Sequence, residues 1–246
     1  MKTLSLTAQT EAGKAIRSKA SGLKDIVECA VSVRLRRRVV SILRLIEPDC
    51  YLEESKGLLQ ASIESGALYW DMCCALAAYA ELCQPTSYLE IGVRRGRSAS
   101  LVGAIQPDVS LYLFDMWHPE YAGVPNPGPD FVRGQLRRVG HRGEVHFVDG
   151  RSQETIPEFF RSSACPDSFE LMTVDGDHRD AGARADLDNV VPRLACGGLL
   201  LFDDITHPTY PTLHEVWQSF MAQHEELIAV ENLHDATGTA LAIRAK

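Results

Sequence analysis

LMTVDGDHRDAGARADLDNVVPRLACGGLLLFDDI, residues 171–205, is the stretch whose reading decides the fold. The apolar run Phe169–Val174 leads into Asp175, and a second run, Gly198–Phe202, leads into Asp203 and Asp204. Between them, Leu187, Val190, Val191 and Leu194 recur at helical spacing. Strand, helix and strand at this length make a βαβ unit, whose strands are parallel and covered on both faces. In such sheets ligands sit outside the carboxyl ends of the strands. Asp175, Asp203 and Asp204 are therefore expected on one rim.

The same alternation extends upstream. Ser87–Gly92, Ser110–Asp115 and Glu144–Val148 read as strands, with helices at Ser98–Ile105, Phe131–Val139 and Gln153–Phe160. Trp117–Asp130 contains Pro119, Pro125, Pro127 and Pro129 and reads as a long loop, too proline-dense for helix or strand. Downstream, Thr206–Pro211 reads as a loop and Thr212–Gln223 as an amphipathic helix. The chain then closes in a hairpin of Leu227–Leu233 and Ala240–Ile243. The sum is an α/β fold with a Rossmann-like sheet of about seven strands, parallel except for a C-terminal antiparallel hairpin, with helices on both faces. Ahead of it, Lys24–Ile46 and Leu58–Cys83 read as two helices, stopped at Pro48 and Pro85. The chain divides into an N-terminal helical cap or extension, 1–85, and a catalytic domain, 86–246. Residues 1–20 are polar and expected to be loosely ordered.

Each of the first five strands ends in an acid: Glu90, Asp115, Asp149, Asp175 and Asp203-Asp204. The first turn, Glu90 to Ser98, has the form ExGxxxGxS, in which Gly92 and Gly96 admit a ligand to the backbone at a helix N-terminus. Asp115 follows Gly92 by 23 residues, close to the spacing of a ribose-binding carboxylate. The glycines are too far apart for a pyrophosphate cradle, and Glu90 would repel a diphosphate. A cationic nucleoside fits better.

These residues resemble the class I S-adenosylmethionine-dependent methyltransferases, and within them the metal-dependent O-methyltransferases of the catechol type and of the macrolide-sugar and cephalosporin-hydroxylase-like type. LEIGVRRGRS is similar to motif I, which implies Glu90 and Gly92 near the methionine part of the donor, Gly96 at the helix start, and Ser98 near the carboxylate. LFDMW resembles motif II, implying Asp115 on the ribose hydroxyls and Met116 against adenine, with Trp117 beside them. DGRSQETIP is similar to the segment whose Ser-Gln pair contacts adenine, here Ser152 and Gln153 after Gly150. VDGDH and LFDDI resemble the two metal-ligand segments, implying Asp175, Asp203 and Asp204 as ligands; the Asp-Asp pair is the form seen in the sugar enzymes. Three carboxylates suit a hard cation, Mg²⁺ by preference, which would lower the pKa of the acceptor hydroxyl. His178 stands where catechol enzymes carry a lysine that resembles a general base. Asp175 itself is the base implied by the sugar enzymes, and His207 is the competing histidine. Asp177 replaces the tryptophan that catechol enzymes carry there, and the 117–130 loop, without a close counterpart, is placed to cover the site.

The expected activity is transfer of a methyl group from S-adenosyl-L-methionine, with Mg²⁺, to a hydroxyl of a small natural-product, sugar or polyketide acceptor. A metal-independent N- or C-methyltransferase, an NAD-type oxidoreductase and an RNA-associated protein using Arg34–Arg38 remain open at this point. The last is disfavoured by a net charge of −8, although residues 1–48 alone carry +6. A solvated helix face is the simpler reading of those arginines. The seven cysteines form no CxxC pair, so neither a disulfide framework nor a zinc site is indicated. Without an apolar leader or span the chain reads as soluble and cytoplasmic, with no membrane partner and with a homodimer through the N-terminal helices as an option.

Overall fold

The structure, a computed structural model, describes residues 22–121 and 123–245. Residues 1–20, with their expected looseness, lie outside the described residues. Helices α1 (Gly22–Ala30), α2 (Val33–Leu43), α3 (Cys50–Ser65) and α4 (Met72–Cys83) precede strand β1 (Ser87–Ile91). Then come α5 (Arg97–Ile105), β2 (Ser110–Asp115), the short strands β3 (Glu120–Tyr121) and β4 (Val124–Pro125), α6 (Pro129–Arg138), β5 (Val145–Asp149) and α7 (Ser152–Phe159). The chain ends with β6 (Phe169–Val174), α8 (Asp180–Val190), β7 (Leu194–Phe202), α9 (Leu213–Met221), β8 (Leu227–Asn232) and β9 (Thr239–Arg244).

Seven strands form one sheet in the order β5-β2-β1-β6-β7-β9-β8. The first five run parallel, and β9 enters antiparallel between β7 and β8. The sequence-based expectation of a parallel sheet closed by an antiparallel hairpin holds. Register explains the common rim. Ile91 pairs with both Phe114 and Val174, and Val174 with Phe202, so four strands stop at one level. One step beyond, Gly92 N–H donates to the Phe114 carbonyl, Asp175 N–H to Ile91 and Asp203 N–H to Val174.

Alternation sorts the strand residues between two cores. Tyr88, Leu111, Leu113, Leu171, Leu199 and Leu201 face helices α1–α6. Leu89, Phe114, Met172, Val174, Leu200 and Phe202 face α7, α8 and α9, where Trp217 and Phe220 are fully buried. The N-terminal helices thus share one core with the sheet. Cys73 and Cys74 are buried within it.

Two corrections concern local structure. Each long N-terminal helix expected from the sequence is two helices. Ser32 Oγ accepts from Leu35 N–H to start α2, and Asp49 and Asp71 cap α3 and α4 by accepting from Leu52 and Cys74. Gly66, at φ +72°, ends α3 in the left-handed conformation that glycine adopts without strain. The apolar pattern runs on through these breaks, so periodicity alone merges them. The 117–130 segment also contains strand: Tyr121 pairs with Val124 and Glu120 with Pro125.

Candidate active site

A cavity of 1060 Å³ opens at the carboxyl ends of β1, β2, β6 and β7, walled on the far side by α3 and the start of α4. Its floor is set by one close approach. A Cβ on Gly92, at φ +87°, would lie 1.8 Å from the Asp175 carbonyl oxygen, so only glycine lets β1 turn against β6. Gly96, at φ +74°, caps α5 against Val132. The carboxylate of Asp115 holds the turn from outside. Its Oδ2 accepts from Arg94 N–H and its Oδ1 from Trp117 N–H, both at 2.7 Å.

Glu90 is buried at the end of β1, where Oε1 accepts from the Ser98 hydroxyl. Its Oε2 has no partner among the described residues. Burial, then the charge of Asp175, pushes this carboxyl up to about 8 against the pull of Ser98. Gly92, Ser98, Asp115, Met116, Gly150, Ser152 and Gln153 all line the cavity; Glu90 and Gly96 lie behind its wall. Trp117 does not line it. Its ring packs edge-on to Phe147 at 5.8 Å, which corrects its assignment as a cofactor contact. The left-handed backbone at Trp117, φ +47°, swings the side chain to that outer face. Asp149 points into solvent and takes no part in the rim.

An acid outside every motif supports the Ser152-Gln153 segment. Asp186, on α8, is fully buried and its Oδ1 accepts from Gln153 Nε2 at 3.1 Å. Burial pushes it up to about 6, opposed by the Ser152 hydroxyl.

At the other end, oxygens of Asp175 and Asp204 and a ring nitrogen of His178 lie within 4.8 Å of one another. His178 Nε2 is 2.8 Å from Asp204 Oδ2 and 3.6 Å from Asp175 Oδ1. Burial opposes charge on the ring, but the hydrogen bonds and charges of both carboxylates outweigh it and hold the imidazolium up to about 10. Burial likewise works against ionised Asp204, yet bonds from His178 and Thr237 keep it below the usual range. Asp175 is raised, burial being the main cause. Tyr210 stacks on His178 at 4.8 Å.

Two site assignments change here. Asp203, expected as a metal ligand, turns away from this cluster: its Oδ1 accepts from Thr239 Oγ1 at 2.8 Å, and burial raises it well above the usual range. Asp204 itself, at φ +63°, leaves the extended strand conformation and meets His178. His178, expected as a general base, already carries its proton at neutral pH. His207 lines the cavity 6.5 Å from His178, with Nδ1 accepting from Thr209 N–H at 3.1 Å. Asp175 and Asp204 offer carboxylate oxygens to a hard cation, and His178 would join them only after releasing its proton.

The sequence reading passed over Tyr51, Arg94, Tyr121 and Tyr210, which line the cavity, and Asp186 behind it. Arg94 was hidden in the charged run RRGR, and the tyrosines come from segments that carry no motif.

A family described as "Methyltransferase domain" matches residues 89–205, from β1 through the end of β7, so that this segment carries the pattern of a methyltransferase domain. No curated protein sequence matches it significantly. Among solved structures, the O-methyltransferase TomG from Streptomyces achromogenes, involved in tomaymycin synthesis, is 19% identical with a TM-score of 0.58 in complex with SAM; the match covers 82% of this chain and 92% of that one. CalS11, a calicheamicin methyltransferase, is 18% identical over 87% of this chain and 92% of its own, with a TM-score of 0.55. An O-methyltransferase from Bacillus cereus in complex with SAH is 14% identical over 81% and 92%, with a TM-score of 0.56. At these identities the likeness speaks for the fold.

In the Arg34–Arg38 stretch, Arg34 and Arg38 both pair with Glu81, at 2.6 and 2.9 Å, and Arg36 is buried on Ser62 and Ala67. Among the described residues no helix is long and apolar enough to cross a membrane.

Proposed function

We propose that this methyltransferase transfers the methyl group of S-adenosyl-L-methionine to a hydroxyl of a small, hydroxylated acceptor of natural-product, sugar or polyketide type. The observation that carries the reading is convergence. The Gly92 turn, Ser98, Asp115 and the Ser152-Gln153 pair line the same cavity as Asp175, His178 and Asp204. Asp115 keeps lone pairs for ribose hydroxyls after accepting its two backbone bonds, and Ser152 with Gln153 offers an edge for adenine. TomG and the Bacillus cereus enzyme, both O-methyltransferases, support oxygen as the methylated atom.

In this reading the acceptor oxygen attacks the methyl carbon, an O–C bond forms, and the C–S electron pair returns to sulfur to give S-adenosylhomocysteine. Asp175 is the base that takes the acceptor proton, its raised pKa bringing it nearer the operating pH. Protonated His178, between Asp175 and Asp204, stabilises the negative charge gathered there and fixes the orientation of both carboxylates. Asp175 and Asp204, joined by His178 once it has released its proton, would also be the residues to hold a divalent cation. Such a cation would supply Lewis-acid polarisation of the acceptor hydroxyl.

The test pairs binding with turnover. Thermal shift with S-adenosylmethionine, S-adenosylhomocysteine and NAD is expected to give stabilisation by the first two alone. Methyl incorporation into hydroxylated acceptors before and after chelation then assigns the metal. Stabilisation by NAD alone would refute the donor, and unchanged activity after chelation would remove the metal while leaving oxygen transfer standing.

A further inference from the structure

We propose that Arg94 is the recognition point for a carboxylate on the acceptor, so that the substrate class is a hydroxylated carboxylic acid. The inference rests on the methyl-transfer reading and specifies its acceptor. Arg94 lines the cavity from the middle of the Gly92–Gly96 turn, with its backbone held at φ +51° by the N–H bond to Asp115. Its guanidinium carbon sits 4.3 Å from the ring centroid of Tyr51 on α3 and 5.8 Å from that of Tyr121 on β3. Nε and Nη2 are shielded from solvent and meet no hydrogen-bond partner among the described residues.

Of the other arginines along this cavity, three face an acid and Arg97 a hydroxyl. Arg95 pairs with Asp49 at 3.1 Å, Arg179 with Asp177 at 2.5 Å, Arg151 with Glu154 at 3.7 Å, and Arg97 donates to Ser55 at 2.8 Å. A shielded guanidinium without an acceptor is unfavourable, so a counter-charge is the missing element. The ring faces attract the cation through its plane while leaving its in-plane N–H fork uncommitted, and that fork matches a carboxylate in bidentate geometry.

Charge and position narrow the class. Asp71, Asp175, Asp203, Asp204 and Asp235 line the same cavity, a field that repels a polyanion more than a single negative charge. A monoanionic carboxylate therefore fits better than a diphosphate. The donor's own carboxylate is implied at Ser98, at the start of α5. Arg94 instead looks toward Tyr121, whose phenol is pushed up to about 12 by burial and by Asp175, Tyr210 and Asp204. An anion on Arg94 thus spans toward the acid cluster where the acceptor hydroxyl must lie.

The experiment is calorimetric titration of the full chain, with and without saturating S-adenosylhomocysteine, using 3,4-dihydroxybenzoate and its neutral amide as probes. The acid is expected to bind wild type about tenfold or more tighter than the amide, as a charge-assisted bidentate pair requires. In Arg94→Met that ratio should fall to about twofold or less, with Arg94→Lys between, while the affinity for S-adenosylhomocysteine stays within about twofold. Equal affinity for acid and amide in wild type, or binding of neither, would overturn the proposal. So would a loss confined to S-adenosylhomocysteine in Arg94→Met, which would hand the residue to the donor, or stronger competition by inorganic pyrophosphate than by the acid. Failure of every variant to bind either nucleoside would instead strike the methyl-transfer reading, and the titration without nucleoside would still report on Arg94.

Discussion

Glu90→Gln should change how the stability of the protein depends on pH. Glu90 is buried with one oxygen unpartnered, and its carboxyl is pushed from 4.5 up to about 8. Between those values the folded chain holds a proton that the unfolded chain has released. The associated stability is therefore complete below pH 4.5 and is lost as pH rises toward 8. Each pH unit in that window removes about 1.4 kcal/mol, so this one group makes the protein roughly 3 kcal/mol less stable at pH 7 than at low pH. Glutamine is nearly the same size, stays neutral and still accepts from Ser98. Urea unfolding of wild type and variant at half-unit steps from pH 5 to 7.5 would read the difference directly. The variant should lose about 1.4 kcal/mol per pH unit of the wild-type slope and be the more stable protein at pH 7. Parallel slopes would refute the reasoning, because they would mean that Glu90 titrates like an exposed carboxylate.

Other expectations follow from single contacts. Gly92→Ala combines an unfavourable positive φ with a Cβ 1.8 Å from the Asp175 carbonyl; it should cost about 2–5 kcal/mol in urea unfolding, and a loss under about 1 kcal/mol would contradict the close approach. Asp204→Asn removes one of the two carboxylates on His178, so the imidazole resonances in an NMR titration, expected to move near pH 10 in wild type, should move at distinctly lower pH. Asp186→Leu strips Gln153 of its acceptor while leaving the cavity wall intact. It should raise the Kd for S-adenosylhomocysteine by about tenfold with little effect on acceptor binding, and an unchanged Kd would make Asp186 purely structural.

The sheet was legible because its strands are short apolar runs with acids or glycine at their ends, and that pattern has no competing explanation. The helices before it were not, because what separates α1 from α2 and α3 from α4 is a capping side chain and a glycine rather than a change in hydrophobicity. Within the site, the motif positions Gly92, Asp115, Asp175 and Asp204 were readable, as position along a strand fixes the rim they reach. Which of Asp203 and Asp204 pairs with His178 was not readable. That choice depends on the left-handed turn at Asp204 and on Thr239, a residue far along the chain. The state of His178 is likewise a three-dimensional property: one carboxylate is three residues away, the other 26. Arg94 and Asp186 share the same difficulty, since a sequence gives their charge but not their burial.

The contact between Gly92 and the carbonyl of Asp175 also bears on how the enzyme can move. With β1 and β6 touching through backbone, the Gly92 turn and the acid cluster form one anvil. Access for reactants must come from the opposite wall, where Tyr51 on α3 and Tyr121 on β3 flank Arg94. Divergence among such enzymes can then replace that wall and change the acceptor while the anvil, and the chemistry struck on it, stays the same.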